Sequence, residues 1–286
     1  MLAGRYVLGG GVVVYEVDPE PWGFTGVTSA YIVSRGGRGF VVDPGFQYTY
    51  TRVLEAAAAL GVRIEGVVVT HVHLDHGGGA AALSHATGAP VYVHPRGARH
   101  VAWPGKLFEA ACRVVGPDAA ASGAPLSLDP ELVVATRDGA CYIIGGVEAC
   151  FHHTPGHASH HQVVSVEGAV FTGDAMGLRY GPCYVPSTPP PLHLDEYVES
   201  VVSIVAGLRP RLLLYTHHGA SREPGRAAAA LLAELARWAS CSSLGELLER
   251  SRCASLVYEE LRDVPYFRGE VERSLEGIRL AVTRRG

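Results

Sequence analysis

The sequence predicts an α/β fold: a four-layer αββα sandwich, two sheets packed face to face under helices on both outer sides, with a C-terminal helical extension. Three observations predict it. Short apolar runs alternate with helix-period segments in two successive halves of the chain. Each half delivers a polar, histidine-bearing cluster at the end of a strand. From residue 225 onward only helix periodicity remains. The expected division is a sandwich domain over 1–222 and a helical extension over 223–286 packed on it. With 48% apolar residues, the chain has ample material for a sizeable core.

Strands are expected at 12–17, 29–34 and 39–42, where β-branched and aromatic residues lie between glycines. Arg35-Gly36-Gly37-Arg38 reads as the hairpin turn between the last two, and Asp43-Pro44-Gly45 stops the strand. Residues 50–60 have helical composition, with Gly61 as the closing residue. The unbroken apolar run at 66–70 suits a strand covered on both faces. After the polar cluster that follows it, 77–86 reads as a helix and 90–93 as another buried strand. Residues 95–130 carry several prolines, and one helix is expected there, near 107–115. Strands return between 132 and 172, separated by Asp138-Gly139 and Gly145-Gly146. A helix at 192–207 and a strand at 211–215 complete the second half.

A net charge of −4, with basic residues scattered singly or in short pairs, offers no electrostatic platform for a nucleic acid. Glycines interrupt the early apolar run, and no cleavage site precedes Glu16 and Asp18, so no targeting segment is expected. No stretch of about eighteen apolar residues predicts a membrane span. A cytoplasmic location is the expectation. Asn is absent and Gln occurs only at 47 and 162, a depletion of thermolabile residues typical of thermophiles that a GC-rich genome also produces, and Lys106 as the single lysine fits either cause. The six cysteines form no CxxC pair, which argues against a thiolate zinc site. Buried free thiols are expected, with disulfides in a hyperthermophile's cytoplasm as the alternative.

The segment Thr70-His71-Val72-His73-Leu74-Asp75-His76-Gly77 carries the chemistry. In extended chain, residues two apart point the same way, so His71 and His73 can converge on one cation. Asp75 and His76 fall where the chain turns into a helix and can face a second one. Neutral imidazoles and carboxylates are the ligands that zinc, manganese and iron favour. Such a set is hard to desolvate without a metal.

This segment resembles the HxHxDH signature of the metallo-β-lactamase superfamily. The resemblance implies the metallo-β-lactamase fold and further site residues downstream. Asp43 matches the family's early aspartate, usually a structural residue behind the ligands. His157 in Thr154-Pro155-Gly156-His157 matches the third ligand of the first metal, beside His71 and His73. Asp174 in Phe171-Thr172-Gly173-Asp174 matches the bridging carboxylate, and His217 the last ligand of the second metal, beside Asp75 and His76. His218 competes with His217, since strand-end position favours one and the His-Gly step the other. His161, four places after His157, matches a histidine that family members often carry. Structural roles are expected for His85, His94, His100 and His193, while His152, His153 and His160 flank the site.

Two cations about 3.5–4 Å apart can share a bridging water and lower its pKa toward neutrality. The expected protein is therefore a dinuclear hydrolase acting through a metal-bridging hydroxide on a small ester, lactone or thioester. Asp75 is the candidate catalytic residue, as proton acceptor. The expected cofactors are two divalent ions, Zn2+ first, with Mn2+ or Fe as alternatives. No GxSxG or phosphate loop competes. Phosphodiester or RNA cleavage and iron-dependent persulfide oxygenation are the alternative activities the same resemblance implies. A small-molecule substrate is the expected partner, without nucleic acid or membrane, and the helical tail could supply a lid or a homodimer surface. Residues 180–191, rich in Pro and Tyr, could wall the pocket and bring a phenol to the bound carbonyl, or serve as a stiff connector. That stretch resembles a prokaryotic branch of uncharacterised hydrolases related to glyoxalase II and acyl-homoserine lactonases.

Overall fold

A computed structural model describes residues 2–284. β1 (Leu2–Val7), β2 (Val13–Val17), β3 (Ala30–Arg35) and β4 (Arg38–Val42) form an antiparallel meander. Gly36 and Gly37, at φ 60° and 78°, make the two-residue turn between β3 and β4, which requires positive φ at both positions. β5 (Arg63–Val68), β6 (Val91–Val93) and β7 (Val133–Ala135) then add in parallel, giving seven strands in chain order. Their crossovers carry α1 (Tyr50–Ala59), α2 (Leu74–Gly77), α3 (Ala80–Thr87), α4 (Pro95–Ala102), α5 (Gly105–Val115) and α6 (Pro117–Ala121).

Two departures from expectation have plain causes. The sequence did not reveal β1, an edge strand with four of its six residues exposed, so its hydrophobic alternation is faint. The 95–130 segment holds three helices where one was expected. Pro95 and Pro117 open α4 and α6 at their first turns, where a missing N–H costs nothing, instead of breaking them.

The second sheet starts as an antiparallel run of β8 (Cys141–Ile144), β9 (Val147–His153), β10 (Gln162–Val166) and β11 (Ala169–Phe171). A separate hairpin, β12 (Leu178–Tyr180) and β13 (Cys183–Val185), follows, and then α7 (Leu194–Val202), which ends in a π-helical turn. β14 (Leu212–Leu214) joins parallel to β11, with β15 (Ala220–Ser221) at the edge. The chain finishes in α8 (Pro224–Ala239), α9 (Leu244–Arg250), α10 (Arg252–Leu261) and α11 (Glu270–Thr283).

Three apolar clusters define the layers. Tyr31, Phe40, Phe151, Phe171 and Leu214 interlock between the sheets. Ile32, Val41 and Val67 on the outer face of the first sheet meet Val53 of α1 and Leu83 of α3. Val163, Leu213 and Tyr215 on the outer face of the second meet Tyr197, Leu231, Trp238 and Ile278. Each large side chain buried this way contributes roughly 1.5–3 kcal/mol. The C-terminal helices thus share one continuous core with α7 and the second sheet.

Four of the six cysteines are paired, which corrects the expectation of free thiols. Cys141 and Cys150 face each other across β8 and β9, and Cys183 of β13 joins Cys253 of α10. Sheet register and helix packing bring these pairs together, and sequence spacing carries no trace of that. Cys112 and Cys241 are free. Among the described residues no helix is long and apolar enough to cross a membrane.

Candidate metal centre

The C-terminal ends of the parallel strands β4, β5, β11 and β14 converge at one rim of the sandwich, and Asp43 ties them together. It leaves β4 in the left-handed region (φ 48°), which aspartate tolerates better than most residues. One carboxylate oxygen accepts the Thr70 N–H at 2.8 Å. The other accepts from the hydroxyls of Thr70 (2.7 Å) and Thr216 (2.8 Å) and from His76 Nδ1 (2.8 Å). A single buried side chain therefore fixes the ends of β5 and β14 and the first turn of α2.

Around this anchor, two groups of ligand atoms face each other. In the first, His73 Nδ1 lies 3.0 Å from both His71 Nε2 and His157 Nε2. In the second, Asp75 Oδ2 lies 3.4 Å from both His76 Nε2 and His217 Nε2. Asp174 stands between them. Its Oδ1 is 3.3 Å from His76 Nε2 and 3.4 Å from His217 Nε2, and its Oδ2 is 3.5 Å from His157 Nε2. The structure thus gathers His71, His73, Asp75, His76, His157, Asp174 and His217, which are spread over 147 positions of sequence.

The far side of three rings determines what the near side offers. His157 Nδ1 faces the Ser187 carbonyl (2.8 Å), His217 Nδ1 the Val27 carbonyl (3.0 Å), and His76 Nδ1 the Asp43 carboxylate. Each of these partners can only accept, so a proton sits on Nδ1 and Nε2 is the atom each ring turns inward to offer a cation. Lone pairs converging on lone pairs and carboxylate oxygens repel unless a cation lies among them. His76 Nε2 and Asp174 Oδ1, both buried, have no hydrogen-bond partner. The donor set fits divalent cations, and the groups His71–His73–His157, His71–His76–Asp174 and Asp75–His76–His217 could each hold one.

Charge follows the same division. Burial, reinforced by neighbouring imidazoles, holds His71 well below its ordinary pKa and His73 down to about 3, so both keep their lone pairs. Burial would also lower His76 and His217, but Asp75 and Asp174 override it and raise both. Those carboxylates, which burial alone would push up, are held well below the usual range by His76 and its histidine neighbours. One half of the centre offers lone pairs and the other draws positive charge.

Further residues hold the ligands in place. Ser187 does so twice: its carbonyl takes the His157 proton, and its hydroxyl donates to Asp174 Oδ2 at 2.9 Å. His161 Nε2 accepts the Asp174 N–H (3.1 Å) while its Nδ1 donates to Thr154 Oγ1 (2.8 Å). Gly173, at φ 46°, passes so close that a Cβ there would meet His161 Nε2 and Thr70 Oγ1 at 2.6 Å.

His218 turns away from the cluster at φ 78°, its ring packed 4.8 Å from that of Tyr180, so His217 is the member of the pair that faces Asp75 and Asp174. His94 caps α4 by accepting the Arg96 N–H (3.0 Å), and His152 contacts Ser165 Oγ (3.1 Å). His85 lies in α3 and His100 in α4, while His193 precedes α7. The His160 ring is 5.8 Å from that of His73, outside the three groups.

A cavity of about 230 Å³ opens over the cluster, with His73, Asp75, His157, Asp174 and His217 in its floor. Prolines 189–191 form part of the wall, one of the two roles left open for the 180–191 stretch. The tyrosines of that stretch do not reach it. Tyr184 bonds Ser221 Oγ (3.1 Å), and Tyr180 packs on His218. The phenol at the cavity belongs to Tyr266, next to Phe267 in the connection between α10 and α11. Burial, then the charge of Asp75, holds Tyr266 protonated well above its usual pKa. Sequence reasoning missed this wall, although Val264-Pro265-Tyr266-Phe267 does interrupt the helical pattern of the tail. Ser187 and α5, which supplies Leu107, Ala111 and Val114 to the wall, were missed as site residues too.

This fold and this rim of histidines and aspartates define a class. The chain belongs to the metallo-β-lactamase superfamily, whose profile matches residues 23–235. It is 30% identical over 210 residues to the metallo-β-lactamase fold-containing protein ST1585 of Sulfurisphaera tokodaii, covering 72% of this chain and 78% of that one. The crystal structure of ST1585 superposes with a TM-score of 0.73 over 93% of this chain and 98% of that one, at 23% identity. The family protein TTHA1429 of Thermus thermophilus superposes at 0.66 and 21% identity, over 96% of this chain and 93% of its own. A hydroxyacylglutathione hydrolase of Anaeromyxobacter dehalogenans is 32% identical over 146 residues, covering 51% of this chain and only 45% of that enzyme.

Proposed function

We propose that this chain is a dinuclear metal-dependent hydrolase of a small ester, lactone or thioester. The observation that carries the reading is the inward set of Nε2 atoms, each ring held by an acceptor at its far Nδ1, with Asp174 between the two groups. In this reading His71, His73 and His157 hold one cation and Asp75, His76 and His217 the other. Asp174, which stands between the two groups, would serve both. The imidazole-rich set suits Zn2+ best, while Mn2+ or Fe would also find acceptable ligands. Bound there, such a pair supplies Lewis acidity and a water acidic enough to attack at neutral pH.

The protein's own groups do the rest. Asp75, in the cavity floor beside His76 and His217, would accept the proton that water loses as it adds to the acyl carbon and return it to the alcohol or thiol that departs. Ser187 and His161 hold Asp174 at fixed separation from both groups. The apolar walls limit bulk water, which strengthens every charge interaction in the floor. Similarity to hydroxyacylglutathione hydrolases supports acyl transfer to water over phosphodiester chemistry, and the weakly acidic chain lacks a basic platform for RNA. Paired cysteines in a chain without Asn suit the cytoplasm of a hyperthermophile.

The test is reconstitution with Zn2+, Mn2+ or Fe2+, followed by assay against an aryl ester, a lactone, a thioester and a phosphodiester. Turnover of an acyl substrate at two cations per chain is the expected result. Phosphodiester cleavage alone, or oxygen consumption at a single iron, would overturn the proposal.

A further inference from the structure

The cavity over the cluster has a composition that its catalytic floor does not explain. Its lining includes Leu107, Ala110, Ala111, Val114 and Val115 of α5, together with prolines 189–191, Tyr266 and Phe267. Val114 is 59% exposed, so the apolar lining continues to the mouth. At about 230 Å³ the space is smaller than the ~300–1,000 Å³ typical of pockets for larger ligands.

Histidines aside, Arg273 is the one basic side chain among the described lining residues, and it is already committed. Its Nη2 donates to Glu270 Oε2 (3.0 Å) and to the Tyr266 carbonyl (2.9 Å), and its Nη1 to the Arg268 carbonyl (2.8 Å). Glu270 neutralises it at the wall, and Glu270 Oε1 in turn accepts from Ser274 Oγ (3.1 Å). An anionic group on the substrate, away from the reacting carbonyl, would lose its hydration here and find no unpaired cation.

We propose that the occupant of this cavity is the hydrocarbon part of an uncharged ester, lactone or thioester, and that thioesters whose thiol carries carboxylates are poor substrates. This rests on the hydrolase reading for the reacting group, while the recognition itself belongs to α5, the three prolines and the Tyr266–Phe267 pair. Each methylene transferred from water into such a wall multiplies affinity by about three- to fourfold until the cavity is full.

The experiment is calorimetry on the zinc-loaded, full-length chain with straight-chain carboxylates from acetate to octanoate and with straight-chain alcohols from ethanol to hexanol. Alongside it, kcat/KM is measured for nitrophenyl esters of the same acids and for one acyl group on a neutral and on a dicarboxylate thiol. Affinity should climb by about that factor per methylene in at least one series and then level off. Val114→Asp at the mouth should flatten the climb, and Ala111→Phe should move the plateau to a shorter chain. The neutral thioester should exceed the dicarboxylate one at least tenfold. Two flat series, or preference for the dicarboxylate thioester, would overturn the inference. Should no ester or thioester be hydrolysed while affinity still climbs, the hydrolase reading falls and the apolar recognition stands.

Discussion

The floor and the wall of the cavity are built from different materials. The floor is made at strand ends: Asp43 follows β4, the 71–76 segment follows β5, Asp174 follows β11 and His217 follows β14. The wall is made of helix α5, the 189–191 loop and the α10–α11 connection, segments separated by about 70 residues or more. Floor residues are locked by short hydrogen bonds to the Ser187 and Val27 carbonyls and to Asp43, whereas wall residues meet the cavity through apolar contact. The chemistry is thus placed on elements that a β-sandwich cannot shift without breaking its core. On the proposed reading, selection among substrates would be left to pieces that can change without touching the candidate ligands. Ser187 is where the two meet, since it holds His157 and Asp174 while its neighbour Thr188 is fastened to α11 by Ser274.

The severest way to break this contrast is to remove a floor ligand. His157→Ala should abolish one metal position and reduce kcat/KM by more than the roughly 100-fold that loss of an outer hydrogen-bonding residue costs. Metal content and turnover measured together check it, and an active variant with full metal content would refute the floor as drawn.

The wall has its own tether, Cys183–Cys253, which closes 70 residues between β13 and α10, whereas Cys141–Cys150 closes only 9. On chain-entropy grounds, replacing the long pair by serines should cost about 4 kcal/mol of stability and the short pair about 2.5 kcal/mol. Denaturant unfolding of the two double variants ranks them. Equal losses would mean that the C-terminal helices are held by packing alone.

Ser187→Ala separates the roles at the junction. It keeps the carbonyl that fixes His157 but removes the hydroxyl on Asp174 Oδ2. Metal affinity, read by chelator competition, should fall about 10- to 100-fold, with little change in thermal stability. Unfolding at lower temperature with unchanged affinity would make Ser187 a packing residue instead.

The smallest effect lies outside both regions. Burial, with the neighbouring His153 and Arg96, lowers His94 to about 4, and its neutral Nδ1 caps α4. The unfolded chain takes up this proton first, near pH 6.5, so the contribution of neutral His94 is complete above that pH. It is lost as pH falls toward 4 and changes no further below. His94→Asn keeps a cap without the titration. The stability of the wild-type chain should therefore fall relative to the Asn variant as pH drops from 7 to 4, and a constant difference would count against the cap.

Legibility in the sequence follows the same floor–wall line. The 71–76 segment was readable because its polar residues interrupt an apolar strand, and His157, Asp174 and His217 because they also fall at turn or strand-end positions of a motif. Asp43 was readable as a motif position, but its grip on Thr70, Thr216 and His76 depends on tertiary approach across 173 residues. The α/β alternation gave the four layers correctly, while β1 escaped because an exposed edge strand carries little pattern. Prolines at helix starts hid α4 and α6. The wall left almost no trace, because apolar side chains at helical spacing look the same whether they face a core or a cavity. Tyr266 and Phe267 become site residues only when the α10–α11 connection folds back over the cluster.

The central claim is that these strand ends hold a pair of cations, and metal stoichiometry tests it most directly. Elemental analysis of the full chain, loaded with Zn2+ and freed of loosely bound ions, should give two per chain, falling to one or none in Asp174→Ala. A wild-type chain that retains no metal, or that retains two in the absence of Asp174, would contradict the account.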